Sequence, residues 1–387
     1  MTNERQRPDR RILVFTDGLD YGGAETLIVE LARRLRGRDW DVRVVTLLGP
    51  GEQAPLLERE SIAVQPLGVD NRADGGRLAR ELSSAVVRLA RIARRYRPTV
   101  LHCHLAPSNL VGRLSALLHR PPAVVCTIHS VQEGAPWRGL AYRLTEPLCD
   151  LTTFVCLAGM RKSIAEGRVT APKALHVPNG IDTRRFRRDA AAGARVRRQL
   201  GLGEGFVWLA VGRFIEAKDW PTMLRALRSS EGGGTLLAVG EGPLLERTRR
   251  LTEELGIADR VRFLGIRRDV PDLMGAADAY LMTSSWEGMP MVLLEAAASE
   301  LPIVTTDVGD AREIVKDGET GFVVEPGSAS ALSAAISRVE QMAKDERRAT
   351  GEAARTHVVA NFGMEKIIEK WEAIYTELAQ RRSASAR

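Results

Sequence analysis

Several features that would decide a function outright are missing from this 387-residue chain. Its first eleven residues, MTNERQRPDRR, contain no apolar h-region, and nowhere do eighteen apolar residues run together without charge, so neither export nor a membrane-spanning helix is expected. The four cysteines, Cys103, Cys126, Cys149 and Cys156, show no CxxC spacing and read as reduced, buried thiols of a cytoplasmic protein. Aromatic residues are only 5% and none interleaves with the arginine-rich stretches, which argues against nucleic acid as a partner. No GxGxxG follows the first apolar strand, so there is no case for a dinucleotide cofactor. His102-Cys103-His104 has no further ligand at metal-site spacing and no DxD pair sits in a suitable loop, so the expectation is no metal and no cofactor.

What is present points to two α/β domains. Apolar residues make up 44% and charged residues 27%, an ordinary globular balance, and the length exceeds what one core usually supports. Near-continuous apolar runs alternate with helical patterns, as in a parallel sheet covered on both faces: 12–17, 42–48, 62–67, 100–104, 123–129, 152–157 and 174–178. After a polar stretch at 182–204 the rhythm restarts at 206–212 and continues through 235–240, 261–265, 278–284, 302–306 and 321–325. The reading is a doubly wound domain over 1–183 and a second over 184–363, with a helix from 364 crossing back to the first and an unstructured tail at 381–387.

Ligands of such sheets collect at the carboxyl ends of the strands, and the notable polar residues fall there. Asp17, Gly22, Gly23 and Glu25 follow the first strand, His104 ends the fourth, His129 the fifth, and Asn179 follows the seventh. In the second half Arg213, Lys218, Gly265 and the segment Ser285 to Glu295, SWEGMPMVLLE, do the same. Two such edges facing each other across a hinge would make one cleft. With Pro290 opening a helix, Gly288 and Met289 would lie at its positive end, and Glu287 and Glu295 would be about 12 Å apart along the axis. That exceeds the roughly 5 to 9.5 Å between glycosidase carboxyls. It suits a nucleotide sugar, with one carboxylate on ribose hydroxyls and the other on hydroxyls of the sugar. Arg213 and Lys218 could clamp the diphosphate, although a strand-end Arg and a nearby Lys also occur as plain surface residues. Gly22-Gly23 could admit a phosphate or simply serve the turn, and a lone strand-end histidine such as His129 could be structural.

The charge is uneven. Residues 1–180 hold 26 Lys+Arg against 18 Asp+Glu, whereas residues 181–387 hold 30 against 31. Seven arginines and one glutamate lie within Arg77 to Arg97, opposite an apolar stripe. Two readings stand: a face that docks on anionic lipid, or a solvated outer face packed on the sheet.

Taken together, VGRFIEAK, VGEGP, VRFLG, SWEGMPMVLLEA and TDVGDAREIV resemble the carboxyl-terminal domain of glycosyltransferase family 4, a retaining group with the two-Rossmann GT-B fold, and DYGGAET, TIHS and PNGID agree in the first domain. The resemblance implies that Glu295 binds the ribose diol and that Glu287 with the backbone of Gly288, Met289, Pro290 and Met291 holds the donor sugar. It puts Arg213 and Lys218 on the diphosphate, His129 beside the transferred sugar, and Gly265, Ile266 and Arg267 near the base. Gly22 and Gly23 would lie near the phosphates, with Glu25, His104 and Asn179 on the acceptor side. Pro290 and Gly309-Asp310 depart from the commonest family pattern. The expected activity is metal-independent retaining transfer from a nucleotide-diphosphate sugar, UDP favoured, to a glycan or lipid-linked glycan of envelope or exopolysaccharide assembly. The expected location is cytoplasmic, or peripheral on the inner membrane face. The alternatives are a nucleotide-sugar epimerase of the same fold and a noncatalytic sugar-nucleotide-binding protein.

Overall fold

The short β-branched runs become strands β1 (Arg11–Thr16), β2 (Asp41–Thr46), β3 (Ala63–Pro66), β4 (Val100–His104), β5 (Ala123–Ile128), β6 (Leu151–Phe154) and β7 (Ala174–His176). They form one sheet in the order β3-β2-β1-β4-β5-β6-β7, every neighbouring pair parallel. Strands β8 (Val207–Val211), β9 (Thr235–Val239), β10 (Val261–Gly265), β11 (Ala279–Met282), β12 (Ile303–Thr306) and β13 (Gly321–Val324) form a second parallel sheet, ordered β10-β9-β8-β11-β12-β13. The computed structural model describes residues 10–131 and 137–385. It contains two compact units, Met1–Asn179 with Glu365–Arg387, and Gly180–Met364.

In each sheet the strand order reverses once, between β1 and β4 and between β8 and β11. Crossovers leave each reversal point in opposite directions, which opens a crevice in each sheet at the carboxyl ends of the two strands that flank it. The residues after β1 and β4 in the first unit, and after β8 and β11 in the second, are therefore the ones each topology brings together. Expected coverage on both faces holds for the central strands but not for β3, which ends the sheet and is largely exposed.

The two cores are separate. In the first unit Leu13, Phe15, Leu101, Cys103 and Cys126 pack under Leu89, Ala93 and Tyr96 of the helix Gly75–Tyr96. In the second, Trp208, Phe214, Trp220, Leu224 and Leu281 are the centre, and Phe214 stacks on Trp220 with ring centroids 4.2 Å apart. Each such large apolar side chain contributes about 1.5 to 3 kcal/mol on burial. All four cysteines are buried, and none forms a disulfide among the described residues.

From Glu365 onward the helix Met364–Ser385 belongs to the first unit. Glu365 and Glu372 pair with Arg38 at 2.8 and 2.7 Å, and the Trp40 indole donates to Glu372 at 2.9 Å. The expected unstructured tail is shorter than read. Helix continues through Arg381, paired with Glu377 one turn back, to Ser385, and residues 386–387 lie outside the described residues.

Candidate functional site

In the second unit the switch point assembles four loops. After β8 the backbone turns at Gly212 and Arg213, and the Trp220 indole donates to the Arg213 carbonyl at 3.1 Å, fixing the turn from below. Arg213 itself is exposed and makes no ion pair among the described residues. Asp219, at φ 44°, caps the helix Trp220–Ser229 by accepting from the Thr222 N–H, which sets Lys218 just before the helix. The stem of Lys218 lies over Gly212, whose absent Cβ would stand 3.3 Å from Lys218 Cε.

The loop after β11 meets this turn. Ser285 N–H donates to the Ala217 carbonyl at 2.8 Å, and Thr283 Oγ1 donates to the carbonyls of Lys218 and Asp219. Lys218 Nζ thereby reaches Glu287 Oε1 at 2.5 Å, and Ser284 Oγ donates to the same oxygen at 2.7 Å. The loop after β12 closes from behind: Gly309, at φ 56°, passes so near that a Cβ would stand 2.0 Å from the Gly288 carbonyl oxygen, and Asp310 N–H donates to that oxygen at 3.0 Å. Gly240 and Gly242 admit the loop after β9 against the backbone of Gly212 and Phe214. Gly265, at φ 65°, carries β10 into Ile266, which is exposed, and Arg267, which pairs with Asp269.

One spatial expectation is corrected. The helix is Met291–Ala298, Pro290 is its N-cap, and Glu287 stands in the loop before it. The 12 Å helical spacing therefore does not apply, because a turn at Gly288 separates the carboxylates. Glu295, one turn into this helix, is half-buried. Desolvation pushes its carboxyl up to about 7, opposed by the cation of Arg185. Two partners escaped sequence reasoning. Arg185 sits in what read as a charged linker, and Tyr280, buried in β11, has its hydroxyl pushed up by burial and by the negative fields of Glu295 and Glu287. A tyrosine inside a central strand needs a partner for its hydroxyl, and that signal could have found it. The hydroxyl accepts from the Val211 N–H at 3.2 Å.

In the first unit the corresponding crevice holds Asp17, half-buried and raised chiefly by desolvation, although Ser108 donates to it from N–H and Oγ at 3.1 and 2.6 Å. Gly22 caps the helix Gly23–Arg36 in extended conformation, and a Cβ there would lie 2.2 Å from Glu25 Oε2. The space over Gly22 thus holds the chain's own carboxylate. His104 Nδ1 lies 3.1 Å from His129 Nε2. His102 spans Tyr375 and Thr127, each at 2.7 Å, and its ring lies 3.9 Å from that of His104. Burial drives all three imidazoles down, His129 to about 4, so they are neutral at pH 7. His104 Nε2 is buried with no hydrogen-bond partner among the described residues, and Leu105 follows at φ 71°. A buried polar atom without a partner, beside a residue at positive φ, makes this strand end a candidate site. Asn179 is buried at the end of the unit.

Comparison with known proteins places the chain in a family. Residues 21–185 match the family model described as Glycosyltransferase Family 4, and residues 194–357 match Glycosyl transferases group 1. The chain is 35% identical over 276 residues to a GDP-mannose-dependent alpha-(1-6)-phosphatidylinositol monomannoside mannosyltransferase of Mycolicibacterium smegmatis, covering 66% of this chain and 70% of that one. It is 25% identical over 347 residues to the Escherichia coli UDP-Gal:alpha-D-GlcNAc-diphosphoundecaprenol alpha-1,3-galactosyltransferase, covering 84% and 87%. The crystal structure of HepE from Anabaena in complex with UDP superposes with a TM-score of 0.81 at 23% identity, over 95% of this chain and all of that one, and shows the shared fold. The chain belongs to glycosyltransferase family 4 and has the GT-B fold of two Rossmann-like domains, and it is a glycosyltransferase.

Proposed function

We propose that this enzyme transfers a sugar, with retention, from a nucleoside-diphosphate donor to a glycan or lipid-linked glycan in cell-envelope or exopolysaccharide assembly. The observation that carries the reading is the switch-point cluster of Arg213, Lys218, Glu287 and Glu295. It combines an exposed cation with no ion pair among the described residues, a second cation held by a carboxylate, and a carboxyl poised near neutrality. Arg213 and Lys218 bind the diphosphate and stabilise the charge that grows on it. Glu287 keeps Lys218 in place through Oε1 and leaves Oε2 for hydroxyls of the donor sugar. Glu295 accepts from the ribose diol, Gly265 to Arg267 pass along the base, and the loop from Gly288 to Met291 holds the sugar. His129, neutral, hydrogen-bonds a hydroxyl of the transferred sugar, with Gly22 and Gly23 near phosphate and Glu25, His104 and Asn179 serving the acceptor.

Retention follows a front-face course. The bond from the anomeric carbon to the phosphate oxygen breaks, the acceptor oxygen bonds on the same face, and its proton passes to the departing phosphate oxygen. The two cations serve as the charge sink, so no metal is required in this reading. The relatives' names speak of UDP-galactose and of GDP-mannose, and both carry lipid-linked acceptors in those names. UDP is our choice of donor nucleotide.

The test is thermal unfolding in EDTA with UDP, GDP or ADP, for wild type and Glu295→Ala. A ligand at 100 times its dissociation constant stabilises by about 2.7 kcal/mol. A selective rise for UDP that shrinks in the variant supports the site and the base. In parallel, Arg213→Ala and Lys218→Ala should each cut turnover by about 100-fold or more; turnover near wild type in either would defeat the assignment.

A further inference from the structure

The outer face of the first unit carries large apolar side chains that nothing in the transferase site uses. In the helix Trp137–Thr145 the exposed residues Trp137, Leu140 and Leu144 share one side, while Tyr142 on the other is fully buried. The neighbouring helix Ala106–Ser115 and the turn after it add Leu114, Leu117 and Leu118, the last two 66% and 60% exposed. The two elements are fixed to each other by Arg113. Its guanidinium is buried, lies 4.8 Å from the Tyr142 ring, and donates to the Tyr142 carbonyl at 3.1 Å and to Thr152 Oγ1 at 2.8 Å. This strut keeps Tyr142 inward and so turns Trp137, Leu140 and Leu144 outward.

Beside this face lies a basin of about 1020 Å³ at the amino ends of β1, β4 and β5. Arg11, Arg91, Arg94, Arg95, Arg97 and Arg120 line it, and His119 and Arg120 continue directly from Leu117 and Leu118. Arg120 is paired with Asp150, but Arg91, Arg94, Arg95 and Arg97 have no acidic partner among the described residues. From Leu82 to Gln132 the chain contains seven arginines and no Asp or Glu. Among the described residues, the cations of the arginine-rich helix that have no acidic partner gather mostly at its last turns, with Arg80 the exception near its start. Arg77 is taken up by Glu81 and Asp70, and Arg88 donates to the Leu67 carbonyl.

We propose that this face, Leu114, Leu117, Leu118, Trp137, Leu140 and Leu144 with the adjoining arginine basin, docks the first unit on the surface of an anionic phospholipid bilayer. The leucines enter the acyl boundary, the indole lies at headgroup level, and the unpaired arginines meet lipid phosphates. Charge complementarity selects this occupant. A second copy joined through the same patch would set unpaired arginines against unpaired arginines, since a two-fold interface is self-complementary only in shape. The docking face relocates the lipid contact from the helix Gly75–Tyr96 as a whole to its last turn and the two helices beyond it. It does not depend on which donor or acceptor the enzyme uses.

The test is co-sedimentation of the full chain with vesicles of phosphatidylglycerol and phosphatidylcholine, and with phosphatidylcholine alone, at low and physiological salt, without donor or acceptor. The expected result is salt-sensitive binding to the anionic vesicles only. Leu117→Ser with Leu118→Ser, and separately Arg94→Glu with Arg95→Glu, should each lower it by about tenfold or more. Far-UV circular dichroism and melting temperature, unchanged in both variants, show that the first unit stays folded, and UDP-induced stabilisation, which reads the second unit, separates failure here from failure of the transferase site. Brominated lipid should quench wild type more than Trp137→Phe. Absence of binding to either vesicle, binding indifferent to both double variants, or a concentration-dependent dimer abolished by the leucine changes without vesicle binding would each overturn the proposal.

Discussion

At the scale of single residues, Glu295 makes the sharpest statement about pH. Its carboxyl, pushed up to about 7 by burial, holds its proton in the folded state over a range where the unfolded chain has released it. Between the ordinary carboxylate range and 7 the native state therefore binds the extra proton, and stability falls as pH rises through that window. Glu295→Gln should remove the penalty and unfold at higher temperature than wild type at pH 8, by on the order of 2 kcal/mol, with little difference at pH 5. Nucleotide affinity has the opposite sign. With ribose hydroxyls donating to the carboxylate as proposed, UDP should bind more tightly at pH 8 than at pH 6, and the gain should be larger in wild type than in the variant, where only the terminal phosphate of the nucleotide still titrates. Calorimetric titration at the two pH values reads this, and a flat wild-type profile would remove Glu295 from the ribose. Which charged residues the candidate site contains was legible in the sequence, because Arg213, Lys218, Glu287 and Glu295 follow strands whose ends the alternating pattern had already placed. How they pair was not. Lys218 meets Glu287 only because the loops after β8 and β11 are neighbours across the sheet reversal, and strand order is not written in local periodicity.

At the scale of elements, the loops after β11 and β12 behave as one piece. Gly309 holds φ 56° while its Cα presses toward the carbonyl oxygens of Glu287 and Gly288. Gly309→Ala would add a left-handed alanine and a methyl group 2.0 Å from the Gly288 oxygen, so the loop bearing Glu287 must retreat. The expected cost is about 1 to 3 kcal/mol of stability together with a loss of turnover larger than the loss of UDP affinity, since Glu295 on the following helix is left in place. Melting temperature and a kcat against KM comparison check it. The sequence showed a glycine after the TDV run without showing what it approached. Strand positions were readable to within about three residues at either end, because a parallel central strand is a continuous apolar run. The start of the helix Met291–Ala298 was misread by one position, and a helical spacing was applied to a pair of glutamates of which only Glu295 is helical, because Gly-Met-Pro can open a helix or end a loop. Membrane contact was sought on the most amphipathic helix. The exposed apolar face instead belongs to two short helices whose outward sides are set by Arg113, a side chain that reads as an ordinary surface cation until its burial is seen.

At the scale of the whole molecule, acid and ligand should act on different units. His102, His104 and His129 all lie in the first, all are kept neutral by burial, and none has a carboxylate among the causes that shift it. A buried histidine whose folded value is depressed is bound by fewer protons in the native chain than in the unfolded one. Stability is therefore intact above about 6.5, the ordinary imidazole value, and is lost as pH falls from there toward 4. The donor cluster lies entirely in the second unit, where Glu295 pulls the other way and becomes less costly on acidification. Lowering pH from 7 to 5 should thus loosen β4 and β5, with the helix Met364–Ser385 that Tyr375 ties to His102, while leaving β8 and β11 firm. Pulsed proteolysis followed by peptide mapping should find the first acid-induced cuts between Met1 and Asn179 or after Glu365, and UDP should not delay them. His129→Asn, which removes the most accessible of the three imidazoles, should shift the onset of cutting to lower pH. First cuts within Gly180–Met364 would show instead that the carboxylate network of the donor cluster, and not the histidine group, limits acid stability.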